Sequence, residues 1–181
     1  MKKYELTDEI IVKYGSTLHR IKALKDFGNV KTGELGGYIE SGSNLSQEGN
    51  CWVYGNARVC GNAEVCGNAE VFGNAEVCDN AEVYGNAKVY GNAWVYGNAE
   101  VCGNAWVYGD ADYITIKGLG SKYRNTTIFR TKENIAVKCG CFYGTLAEFV
   151  DKVKETHGNS KFAKEYLALI DLVKIHFELE E

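Results

Sequence analysis

The sequence predicts a mainly β chain: a parallel β-helix of hexapeptide repeats, followed by a small C-terminal ββαα module. Three observations carry this. A six-residue phrase, Val-x-Gly-Asn-Ala-x, runs from Val53 to Ala111 without insertion. Ten valines, at 53, 59, 65, 71, 77, 83, 89, 95, 101 and 107, keep register, and a small residue follows each one four places later. After Ala111 the pattern gives way to two alternating stretches and then to apolar residues at 3–4 spacing.

Each element follows from the period. Units of the form aliphatic-x-x-x-small-x build coils of triangular section, three hexads to a coil, so residues about 18 apart stack at about 4.8 Å. Period two along each short strand turns Val inward and both neighbours outward. Gly suits a corner needing positive φ, and Asp79, the one replacement, tolerates that region better than most residues. The small Ala packs inside the bend. The ten corner residues from Asn56 to Asp110 are expected to stack in three ladders of side-chain hydrogen bonds.

The period also sorts the outward residues into three faces. Face A carries Trp52, Tyr54, Glu70, Phe72, Lys88, Tyr90, Trp106 and Tyr108, six aromatics in four layers, and is expected to be covered by another subunit or a partner. Glu70 and Lys88 lie in adjacent layers and can pair. Face B carries Arg58, Cys60, Glu76, Cys78, Trp94 and Tyr96. Face C stacks an acidic ladder, Glu64, Glu82 and Glu100, beside Cys66, Tyr84 and Cys102. Like charges opposite one another destabilise a sheet, so a cation, a partner's basic group or solvent must offset them.

Three segments are expected. Residues 1–37 form a cap, with short strands at Tyr4–Thr7, Ile10–Lys13 and Leu18–Leu24 and turns at Asp8 and Tyr14-Gly15. Residues 38–117 form the β-helix; Ile39, Leu45 and Cys51, six apart, join the Ala57 series in an irregular first coil. Residues 118–181 form the last module. Tyr113–Lys117 is the final strand of the coils; beyond it Gly118–Ser121 is a linker, and Thr126–Thr131 with Ile135–Cys139 a hairpin. Thr145-Leu-Ala-Glu148 is a capping box opening one helix, and a second runs from about Ser160 to Phe177.

Composition narrows the function. The net charge is −4 and the basic residues are scattered, so a nucleic-acid polymer is not an expected partner. No apolar run reaches the roughly 20 residues of a membrane span. The N-terminal MKKYELTDEI lacks a secretion signal's apolar core, and seven cysteines then point to reduced thiols in the cytoplasm.

The whole chain resembles the hexapeptide-repeat proteins common in bacteriophages and prophages and often labelled transferases. The resemblance is carried by Leu18-His-Arg-Ile-Lys-Ala-Leu-Lys-Asp-Phe-Gly with Gly36-Gly-Tyr-Ile-Glu, by the Gly-Asn-Ala repeat, and by Thr127-Ile-Phe-Arg-Thr-Lys with Cys139-Gly-Cys-Phe-Tyr-Gly-Thr-Leu. It implies a left-handed coil, a homotrimer along face A, and, from a phage setting, an inhibitor that captures a host defence protein or a small nucleotide signal. The superfamily also resembles CoA-dependent acyltransferases, which use a histidine base and a loop between coils. Here His19, His157 and His176 all lie outside the coils, and no loop interrupts the hexads. A zinc site of three coil imidazoles has no ligands. No catalytic residue, cofactor or metal is therefore assigned; acyl transfer and a structural scaffold or virion role are the alternatives. Cys60 and Cys78 are expected to stack within disulfide range. Arg124, Arg130, Lys132 and Lys138 make the C-terminal hairpin basic enough to bind an anion or an acidic partner.

Overall fold

The computed structural model describes residues 2–179. The chain divides into two compact units between Asp110 and Ala111.

The first unit opens with a hairpin, β1 (Tyr4–Lys13) and β2 (Ser16–Ala23). Its two-residue turn holds Tyr14 and Gly15 at φ 53° and 82°, the paired positive angles that match the twist of a tight hairpin. What reads as two strands around a turn at Asp8 is one strand: the register shifts between Leu6 and Ile10, and this bulge absorbs the polar Thr7-Asp8-Glu9 without breaking the pairing. Strand β3 (Leu35–Ile39) pairs antiparallel with β2 and parallel with Arg58–Val59, so it converts the hairpin sheet into the solenoid. A Cβ on Gly37 would stand 2.4 Å from the carbonyl oxygen of Ala57, which is why this junction takes glycine.

Ten two-residue strands follow, β4 to β13, from Trp52–Val53 to Trp106–Val107. Every valine of the register is fully buried, and the strands stack in three parallel ladders, one per face. The Asn ladders form as the repeat requires: Asn50, Asn68, Asn86 and Asn104 are joined amide to amide at 3.1–3.4 Å, Asn62 donates to Asn80 and Asn74 to Asn92. Asp79 sits at φ 61°, and its carboxylate accepts from the Gly97 amide at 3.0 Å, a bond glycine could not supply.

The first coil departs from expectation. Ile39 pairs with Val59 and Leu45 with Val65, separations of 59 − 39 = 20 and 65 − 45 = 20, whereas Trp52 and Glu70 are 18 apart. Ile39 and Leu45 therefore join the valine ladder rather than the Ala57 series, because two extra residues lie between Leu45 and Trp52. That longer corner is held by the N-terminal strand. Tyr4 donates to the Leu45 carbonyl at 2.6 Å, and the buried Lys3 ammonium donates to the Glu48 and Cys51 carbonyls at 3.3 and 3.0 Å. Burial holds the Lys3 amine below its usual range and pushes the Tyr4 phenol up to about 12.

The second unit is a four-stranded antiparallel sheet in chain order with two helices: β14 (Tyr113–Leu119), β15 (Arg124–Arg130), β16 (Ile135–Cys139), β17 (Phe142–Thr145), α1 (Leu146–His157) and α2 (Lys161–His176). The module is thus ββββαα. Tyr113–Leu119 pairs with β15 instead of closing the coils, and Gly118, expected in a linker, sits at φ 99° at a register shift within that strand. Strand β17 escapes detection because four residues are too few to show alternation. The capping box is complete: Thr145 Oγ1 accepts from the Glu148 amide while Glu148 accepts from the Thr145 amide at 2.7 Å. Ile128, Val137 and Phe149 pack with Tyr166, Leu169, Ile170 and Val173 in one buried core.

Candidate binding faces

Face A is assembled in the expected register, since Trp52, Glu70, Lys88 and Trp106 are successive partners in one ladder. Phe72 stacks on Tyr90 at 4.9 Å and 14°, Tyr108 meets Tyr90 edge-on at 5.2 Å, and Lys88 donates to Glu70 at 2.6 Å. Tyr54, Phe72, Tyr90 and Trp106 are half-buried and Tyr108 is 61% exposed. Burial, then the charge of Glu70, pushes the Tyr54 phenol up to about 12. Trp52 is the exception. It is fully buried beneath Tyr4 and Phe27, at ring distances of 6.1 and 5.3 Å, and so belongs to the core and not to an interface. The reason is the N-terminal cap, which folds over the first layer of this face alone.

Face B is partly covered by the chain itself, which sequence reasoning missed. The hairpin tip reaches across it: Lys13 pairs with Glu76, which also receives Arg58 at 3.0 Å, and Tyr14 stacks on Trp94 at 6.0 Å and 1°. The signal was available in the Lys13-Tyr14-Gly15 tip, but nothing local says where a hairpin lies. Beneath it Cys60 and Cys78 stack as expected, both as free thiols. Cys78 sulfur accepts from the Cys60 thiol and from the Trp94 indole at 2.8 Å. The bond to Cys78, then burial, pushes the Cys60 thiol up, while the same bond holds Cys78 down.

Face C brings Glu64, Glu82 and Glu100 into direct register. The Tyr84 hydroxyl donates to Glu100 at 3.4 Å, so part of the offset comes from within the face. Burial, then a hydrogen bond to Cys102, raises the Tyr84 phenol.

The four C-terminal cations do not form one site. Arg124 and Arg130 stand at opposite ends of β15, roughly 20 Å apart at 3.3 Å per residue. Arg130 is bonded to Asp112 at 3.1 Å and lies over the Phe177 ring. Lys138 donates to the Gly140 carbonyl and, flanked by the core-facing Val137 and Cys139, points away from the helices. Lys132 is in the turn after Arg130. Sequence proximity on a hairpin brings like residues into one stretch of chain, but strand alternation and length separate them in space.

Among the described residues no cluster of three or more His, Cys, Asp or Glu could hold a metal, and no helix is long and apolar enough to cross a membrane. The three histidines sit on β2 and at the C-terminal ends of α1 and α2.

The model of the YdcK beta solenoid repeat matches residues 81–97, within the third and fourth coils. A protein of Escherichia coli (strain K12), named "Uncharacterized acetyltransferase YdcK", is 39% identical in an alignment 62 residues long that covers 30% of this chain and 19% of that protein. The chain thus spans about a fifth of the length of the relative it matches. The uninterrupted hexads and the coil-on-coil pairing of their valines make residues 52–107 a hexapeptide-repeat β-solenoid, and the matched repeat is of the same kind.

Proposed function

We propose that this chain is a non-catalytic binding protein whose solenoid associates with further copies of itself along face A. The observation that carries the reading is the ladder of Phe72, Tyr90 and Tyr108, three rings in contact across successive coils with the last mostly in water. Five partly exposed rings on this face leave roughly 300 Å² of aromatic surface, at the level of the largest patch on a typical monomer. A standard interface takes about 800 Å² from each partner. The stripe is then the apolar centre of a concentration-dependent contact, with the Glu70–Lys88 pair and the Asn corners as its polar rim. A trimer is the arrangement that the family resemblance implies, and capture of a host defence protein or a nucleotide signal in a phage setting is the finer part of this proposal.

Light scattering across a concentration series tests it. A trimer scatters as three chains of 20.0 kDa, about 60 kDa. The Tyr90→Ser, Tyr108→Ser variant should fall toward one chain's mass with unchanged circular dichroism. A 20.0 kDa species at every concentration would remove the proposal. The second reading, CoA-dependent acyl transfer, is supported by the acetyltransferase name of the E. coli relative; calorimetric binding of acetyl-CoA would promote it over the first.

A further inference from the structure

A cavity of about 320 Å³ opens in the second unit between the Arg124 end of the sheet and the two helices. That volume lies at the lower end of the range for small-ligand sites, about 300–1,000 Å³. Its lining is asymmetric in charge: Lys122, Arg124 and Lys152 contribute to the wall, and among the described residues no carboxylate does. Arg124 makes no ion pair with any carboxylate among the described residues. Its guanidinium lies over Gly140, where an added Cβ would stand 2.4 Å from Nη1, so the glycine keeps the seat of this arginine open. Lys152 is paired with Glu155 at 2.8 Å, but both are more than half exposed, and such a pair is exchanged for a ligand at little cost.

Much of the remaining lining is rings. Phe142 contacts Phe149 at 5.2 Å, Phe149 meets Tyr166 edge-on at 5.4 Å, and His157 lies nearly parallel to Tyr166 at 5.8 Å. These rings are set by the core they join: Phe149 and Tyr166 are 4% and 5% exposed. Three cations that a dianion would satisfy thus line one cavity with ordered rings against which a planar ring would pack.

We propose that this pocket binds a ring-bearing phosphate monoester of mononucleotide size, its phosphate on Arg124, Lys122 and Lys152 and its ring against Phe142 and Phe149. The site is independent of the self-association of face A. Calorimetry on the full chain with AMP, phenyl phosphate, adenosine and inorganic phosphate tests both halves. AMP or phenyl phosphate should bind one per chain, at least tenfold tighter than adenosine or phosphate alone. Arg124→Ala should weaken that binding at least tenfold, Arg124→Lys less, and Lys174→Ala, on an exposed turn of α2, not at all. The ligand should also slow alkylation of the exposed Cys141, which lines the cavity, while leaving Cys66 on the coils unaffected. Failure of both esters to bind, binding unchanged in Arg124→Ala, or equal affinity for phosphate alone would each overturn the proposal.

Discussion

Trp52 separates a core residue from an interface residue by experiment. Its side chain is fully buried, wedged against Tyr4 and Phe27, and its indole N–H has no hydrogen-bond partner among the described residues. A tryptophan removes about 150–250 Å² from water, worth about 4–6 kcal/mol at 25 cal/mol per Å². The unpartnered N–H subtracts about 1–3 kcal/mol. The difference is about 1–5 kcal/mol, so Trp52→Ala should destabilise the first unit by an amount in the upper part of that span, where the usual cost of emptying such a site, about 3–5 kcal/mol, falls. Trp52→Phe keeps a ring between Tyr4 and Phe27 and removes the orphaned donor, so it should cost about 1 kcal/mol or less. Urea unfolding followed by tryptophan fluorescence reads this unit alone, because all three tryptophans precede Asp110; Trp94 and Trp106 remain as reporters in both variants. The mass by light scattering should not change. A loss under 1 kcal/mol in Trp52→Ala, or a drop in mass without a loss of stability, would refute the assignment of Trp52 to the capped core.

Two further outcomes follow from the same unit. Gly37→Ala places a Cβ 2.4 Å from the Ala57 carbonyl and 2.7 Å from a Val53 methyl, and neither backbone nor buried valine can yield cheaply. It should destabilise by about 1–3 kcal/mol, and a wild-type melting curve would show that the junction of β3 with the coils is looser than its geometry. The second concerns alkaline pH. Tyr4 is held neutral up to about 12 against 10.0 unfolded, so its contribution, roughly 2–3 kcal/mol at 1.36 kcal/mol per pKa unit, is intact below pH 10 and lost between 10 and 12. Lys3 has the opposite sign: its lowered amine disfavours the fold while charged, so stability rises with pH up to 10.5, its unfolded value. Denaturation at pH 9, 10.5 and 12 should show a decline above pH 10 that is shallower in Tyr4→Phe. Equal slopes would place the Tyr4 hydroxyl in water.

Register in this protein is a property of the sequence. Once the valines recur at a period of six, a coil of three hexads puts Val59, Val77 and Val95 in one column, and Arg58, Glu76 and Trp94 must stack beside them. The same arithmetic aligns Glu64, Glu82 and Glu100, because each hexad specifies its own local bend and needs only its neighbours above and below. The two helices and their capping box were legible for a related reason: 3–4 spacing and the Thr145–Glu148 exchange are local. Where the chain is aperiodic the legibility ends. Ile39 and Leu45 show a six-residue interval that points to the wrong ladder, and only pairing with Val59 and Val65 exposes the two-residue surplus in that corner.

The placement of side chains that meet across long separations was settled in three dimensions. Tyr4 reaches Leu45, Lys13 reaches Glu76 and Arg124 is brought near Tyr166, and no repeat or helical period encodes such distances. Periodicity determined the coils, their faces and the direction of every valine, since it acts through nearest neighbours. Tertiary packing decided which aromatic was withdrawn into the core and which cations converge on one cavity, since a face becomes surface or interior only when a distant segment does or does not fold over it.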